Sequence, residues 1–120
     1  MTPELELQRQ LLIAAPRALP DVRLFRRNVM RVQLANGAQV KSGIKGQCDL
    51  HGYLKGCGLG FEIELKSHAG RLSKEQEAWR DWCAGWGVPW IVLAGSRLET
   101  SEQTVHRWLG EVAAWLFPRR

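Results

Sequence analysis

The chain has 120 residues, 45% of them apolar and 24% charged, and a formal net charge of +5. That length supports one core and one domain spanning residues 1–120, with a composition ordinary for a soluble globular protein. No apolar run reaches the ~18 residues of a membrane span, and the basic balance favours a polyanionic partner, nucleic acid ahead of an anionic membrane surface.

The first segment, "TPELELQRQLLIAAP", reads as a helix. Thr2 can cap it, Pro3 suits its first position, Glu4 complements the positive end of the dipole and Pro16 should end it. "DVRLFRRNVMRVQLANGAQV" gives two β-like runs, Val22 to Leu34 and about Gln39 to Val40, around the Asn36-Gly37 turn. The cluster Arg23, Arg26, Arg27 and Arg31 lies in the first of them.

Glycines at 43 and 46 then precede a short strand from Gln47 to Leu54, and a turn rich in glycine leads into a strand from Phe61 to Ser67. Ser73 and Gln76 stand in capping-box spacing at the head of a second helix. Trp79, Trp82 and Trp86 follow at helical intervals, with Gly87 as C-cap. "PWIVLAG" reads as a continuously apolar, buried strand. The stretch from Ser101 to Phe117 is an amphipathic helix whose apolar side is Val105, Trp108, Leu109, Val112 and Leu116. The expected architecture is α/β, with a mixed central sheet flanked by helices in the order αβββαβα.

Cys48, Cys57 and Cys83 form no CxxC pair, and a Cys48–Cys57 half-site for zinc has no second half. Glu4 and Glu6 stand where a secretory leader would be basic. Both features lead us to expect an intracellular, cytoplasmic protein.

The chemistry concentrates in "FEIELKS". Alternation along a strand puts Glu62, Glu64 and Lys66 on one face and Phe61, Ile63 and Leu65 on the other. Taken alone, E-x-K is an ordinary solvated strand face. Here Asp49 precedes it at hairpin distance and should sit beside Glu64 in the sheet. Two adjacent carboxylates repel unless one is protonated or a cation neutralises them, and Mg2+ or a similar hard ion would serve. Lys66 would then face the same site, able to orient a water or stabilise charge on a phosphorane.

An Asp, a gap of about fifteen residues and E-x-K, in this element order, resembles the PD-(D/E)xK nuclease superfamily with its restriction-endonuclease-like core. Within "GIKGQCDLHGYLKGCGLGFEIELKSHAGRLSKEQEAW" the glycine-led Asp49, the Glu64–Lys66 pair and "GRLSKEQ" resemble the VRR-Nuc branch in order and spacing, over roughly residues 4 to 94. Cys48 stands where the superfamily pattern has Pro.

The resemblance implies that Asp49 and Glu64 hold Mg2+ or Mn2+ with the Leu65 carbonyl, and that Lys66 is the catalytic lysine. It also implies an acidic residue from the first helix: Glu4, with Gln8 a turn later, or alternatively Glu6. It places Gln76 at the active site, whereas capping with Ser73 explains Gln76 structurally, and one side chain is hardly expected to do both. Arg23, Arg26, Arg27 and Arg31 would track DNA phosphates or form a solvated basic face. His51 could approach the site, but a strand-end histidine without a role is the simpler expectation. For Trp79, Trp82 and Trp86, core and interface packing is expected over base stacking.

The function implied is metal-dependent cleavage of DNA, of branched or four-way-junction form, by a homodimer. A non-catalytic nucleic-acid-binding module on the same fold is the alternative, although both carboxylates and the lysine are present. A membrane-surface protein would need a basic-faced amphipathic helix, and the last helix carries few basic residues.

Overall fold

The computed structural model describes residues 3–27, 31–41, 44–68 and 70–118, with the backbone alone for 31–33 and 39–41. Thr2 and Gly43 lie outside the described residues. The elements are α1 (Pro3–Ala18), β1 (Val22–Arg26), β2 (Arg31–Gln33), β3 (Gln39–Lys41), β4 (Leu50–Leu54), β5 (Gly60–Lys66), α2 (Lys74–Gly85), β6 (Trp90–Ala94) and α3 (Ser101–Leu116). Setting aside the β2–β3 hairpin, which is a separate two-stranded sheet, the order is αβββαβα. This is an α/β fold with a mixed, open sheet, compatible with a restriction-endonuclease-like core.

The main sheet runs β1-β4-β5-β6. β1 pairs antiparallel with β4 and β4 with β5, whereas β5 and β6 are parallel across α2. The β-like run from Val22 to Leu34 therefore divides between two sheets. Asp49 stands just before β4; its carbonyl accepts from Arg27 N at 2.9 Å, which extends the β1–β4 ladder.

The two faces of β5 are both covered, by different means. Phe61, Ile63 and Leu65 join Leu11 of α1 and Val105, Trp108 and Val112 of α3 in the apolar core. Burying side chains of this size stabilises by about 1.5–3 kcal/mol each. The opposite face, bearing Glu62 and Glu64, lies beneath α2, and Cys83 is that helix's one buried side chain. Polar contacts to the two glutamates thus supply much of what docks α2.

Gly87 closes α2 as expected: at φ +72° it follows Trp86, with Gly87 N donating to the Ala84 carbonyl and Val88 N to the Cys83 carbonyl. Two local expectations change. Pro16 lies inside α1, which continues to Ala18; a proline in the last turn removes one hydrogen bond without forcing an immediate stop. β6 is an edge strand, and only Leu93 of it is fully buried while Val92 and Ala94 are exposed. Its apolar run reflects an open face and not enclosure. Among the described residues no helix is long and apolar enough to cross a membrane.

Candidate active site

Glu62 and Glu64 point to the same side of β5 and meet opposite treatment. Arg27 donates from Nη1 to Glu62 Oε1 at 2.6 Å and from Nη2 to Oε2 at 2.9 Å. Trp79 Nε1 adds a bond to Oε1 at 2.9 Å. A bidentate guanidinium with an indole donor compensates this buried carboxylate fully. Arg27, grouped by sequence with the phosphate-tracking arginines, is committed to the interior.

Glu64 is only 2% exposed. Gln76 Nε2 donates to its Oε1 at 3.0 Å, and Lys66 Nζ stands 3.9 Å from the same oxygen. Oε2 is buried without a hydrogen-bond donor. Burial, then the neighbouring Asp49 carboxylate, push the Glu64 carboxyl up to about 8, against the opposing pull of Lys66. A carboxylate so placed is incomplete without a proton or a cation.

Asp49 is fixed by its own contact with β5: Leu65 N donates to Asp49 Oδ2 at 3.0 Å. In the parallel pairing with β6, Lys66 directs its carbonyl toward Gly95 N, at 2.8 Å. Adjacent residues of a strand alternate, so Leu65 directs both its N–H and its carbonyl to the other edge, beside Asp49. Asp49, Glu64 and the Leu65 carbonyl are thereby brought to one corner of the sheet, where β4 has not yet begun.

Gln76 corrects the expectation that it must choose between two roles. Its Oε1 accepts from Ser73 N at 2.9 Å while its Nε2 donates to Glu64. Ser73 Oγ completes the box by accepting from Gln76 N at 3.1 Å. An amide has an acceptor end and a donor end, and here the cap orients the donor end onto the carboxylate. Gly46 locks the same corner from the other side. At φ +93°, a Cβ there would come 2.2 Å from the Glu75 carbonyl oxygen in the first turn of α2.

The two acidic residues of α1 separate cleanly. Glu6 is engaged by Arg9, at 2.6 Å, and by Gln10, at 3.0 Å, which hold its carboxyl down at about 2. Glu4 instead feels burial and the charge of Asp49, which raise its pKa, and of Lys66, which lowers it. It lines an open cleft of about 570 Å³ together with Gln8, Asp49, Ser67 and His68. Glu64 and Lys66 are not among the residues that line this cleft.

The remaining candidates scatter. Arg23 donates to the Pro20 and Val22 carbonyls, each at 2.9 Å. Arg26 is exposed and borders a hollow with Gln8. The Arg31 side chain lies outside the described residues. His51 stacks on Phe25 with centroids 5.7 Å apart, and its buried Nδ1 has no partner; it belongs to an aromatic patch with Phe25 and Tyr53 and does not line the cleft. The α2 tryptophans do not enter the core. Trp79 and Trp82 stack at 4.7 Å, Trp82 and Trp86 lie 5.9 Å apart, and Trp86 is 74% exposed. Helical spacing identified the stripe but not which way it faced; Trp108 and Trp115 contribute to the core instead.

Comparison with family models, with curated proteins and with solved structures finds no match to this chain. Among the described residues no three His, Cys, Asp or Glu side chains gather closely enough to cage a metal ion. A Mg2+-type ion does not require such a cage, since it commonly uses one or two carboxylates and retained waters. The unpartnered Glu64 oxygen and the adjacent Asp49 fit that donor set, with the Leu65 carbonyl beside them and Glu4 at the rim.

Proposed function

We propose that this chain is a divalent-metal-dependent DNA endonuclease of the VRR-Nuc type, acting on branched DNA such as four-way junctions as a homodimer. The observation that carries the reading is the Glu64 carboxylate, buried beside Asp49 with one oxygen that no donor reaches and a lysine 3.9 Å from the other. Asp49, Glu64 and the Leu65 carbonyl would hold Mg2+ or Mn2+, with Glu4 contributing from α1. The ion would supply Lewis-acid activation of a water and of the scissile phosphate.

Residues of the chain supply the rest. Gln76 keeps Glu64 in place, and the Leu65 amide keeps Asp49 in place. Lys66 sets a compact positive charge next to the reacting phosphate. There it favours the extra charge that develops as the water oxygen bonds to phosphorus and the bond to the leaving sugar oxygen breaks. The leaving oxygen takes up a proton and the attacking water loses one, so the products are a hydroxyl and a phosphate monoester. A two-fold dimer would provide one such site for each of two strands. The exposed Trp82, Trp86 and Val92 supply apolar surface for pairing.

The test is cleavage of junction, flap and linear DNA with Mg2+ or Mn2+, beside Glu64→Ala and Lys66→Ala. Metal-dependent cutting that both substitutions abolish supports the reading. Binding without cutting supports the non-catalytic module, and cutting that survives the substitutions rejects this site.

A further inference from the structure

The cleft at the carboxylates is not isolated. It shares Glu4, Ser67 and His68 with a hollow of about 300 Å³ that is also lined by Arg97, in the loop between β6 and α3, and by Glu99. It also shares Gln8 with a hollow of about 280 Å³ that is lined by Arg26. The three adjoining hollows form one groove across the first turns of α1. Glu4 and Asp49 line the middle hollow, Arg26 and Arg97 line the outer two, and the Glu99 of the Arg97 hollow is paired with Arg107.

Arg26 and Arg97 are both exposed, and neither side chain has a hydrogen-bond or ion-pair partner among the described residues. Their neighbours are otherwise employed: Arg9 pairs with Glu6, and Arg107 with Glu99 and Glu111. Unpaired guanidiniums at both ends of an acidic centre suit a ligand with several regularly spaced negative charges, the central one bridged by a cation. A phosphodiester strand has that pattern. We propose that this groove is the path of the substrate strand and that Arg97 and Arg26 grip phosphates on opposite sides of the cleaved one. The inference rests on the nuclease reading and adds Arg97, which no sequence motif singles out.

Affinity for a fluorescein-labelled four-way junction is to be measured against salt in a Glu64→Gln background, which keeps the substrate intact. Cleavage kinetics are read in the otherwise unaltered chain. Loss of one phosphate contact lowers the magnitude of the log–log salt slope by about 0.9 on duplex and ~0.7 on single strands, or roughly fivefold in affinity at physiological salt. Arg97→Ala and Arg26→Ala should each do this and raise KM with kcat largely kept, and the double variant should lose roughly twenty-five-fold. Arg97→Lys should retain most of the affinity. Arg17→Ala, in the last turn of α1 and roughly 20 Å along the helix from Glu4, controls for net charge and should change little.

If Arg97→Ala weakens binding no more than Arg17→Ala while the unaltered chain cuts DNA, the groove is wrong and the nuclease reading stands. If the chain binds with the expected slopes but never cuts, the groove stands and the catalytic reading fails. If the junction does not bind, or a mononucleotide competes as well as a strand, the groove is overturned.

Discussion

Glu62 and Glu64 are two residues apart on one strand face, beneath one helix, and their surroundings differ in kind. Glu62 accepts from a bidentate arginine and an indole. Glu64 keeps one oxygen without a donor and sits against a second carboxylate, with its pKa pushed up to about 8. Burial alone therefore does not separate a structural carboxylate from a functional one; the completeness of its compensation does. The first ties α2 and the end of β1 together, and the second keeps an oxygen that the fold does not pair.

The largest effect expected from breaking this contrast is on catalysis. Glu64→Gln should reduce metal-dependent cleavage by about a thousandfold or more, since metal activation supplies several kcal/mol. The same substitution should leave metal-free stability at pH 8 unchanged or improved, because it removes a buried carboxylate that sits against Asp49 and keeps one oxygen without a donor. Activity assays and urea denaturation on one preparation check both halves.

Arg27→Ala should behave in the reverse way. It strands a buried carboxylate, and breaking such a pair costs about 3–5 kcal/mol. A lowered urea midpoint at neutral pH is the readout, and unchanged stability would mean that the Glu62 cluster is not structural.

The third expectation concerns pH. Glu64 holds its proton more tightly folded than unfolded, so the native state binds the extra proton between the unfolded value near 4.5 and about 8. Metal-free stability should therefore decline as pH rises through that window, by up to a few kcal/mol, and level off above it. Thermal melts in EDTA from pH 5 to 9 test the sign, and the decline should be much reduced in Glu64→Gln. Saturating Mn2+ should offset it at the alkaline end, since a bound cation takes the place of the proton.

The smallest effect should come from Gln76→Ala, which removes both ends of one amide. Loss of the box costs about 1 kcal/mol. Loss of its grip on Glu64 should slow cleavage by about tenfold. Gln76→Glu keeps an acceptor for Ser73 N but loses the donor toward Glu64, so it should retain more stability than Gln76→Ala and no more activity.

Much of this was legible in the sequence, because the patterns involved are local. Alternation placed Glu62, Glu64 and Lys66 on one face, and the S-x-x-Q spacing placed the start of α2. The glycine-rich turn implied the antiparallel pairing that brings Asp49 to Glu64. What the sequence concealed depends on long-range contacts. Arg27 looks like any other member of a basic cluster until β1 pairs with β4 and delivers it to Glu62, 35 positions away. The outward turn of Trp82 and Trp86 depends on α2 docking through polar contacts and Cys83, which helical periodicity does not register. The open face of β6 follows from its edge position, and an apolar run reads the same at an edge as in the centre. In the sequence only the spacing to Gln8 favours Glu4 over Glu6; the rotation of α1 separates them physically, giving Glu6 to Arg9 and setting Glu4 in the cleft with Asp49.

The most direct test of the contrast is Mn2+ binding, followed by titration calorimetry or electron paramagnetic resonance, in the unaltered chain, Glu64→Gln and Glu62→Gln at pH 8. The expected result is that Glu64→Gln loses the ion. Glu62→Gln, whose amide oxygen can still accept from Arg27 and Trp79, should keep the ion at reduced stability. Equal Mn2+ binding by all three chains, or none by the unaltered one, would contradict the assignment of Glu64 as the carboxylate that awaits a cation.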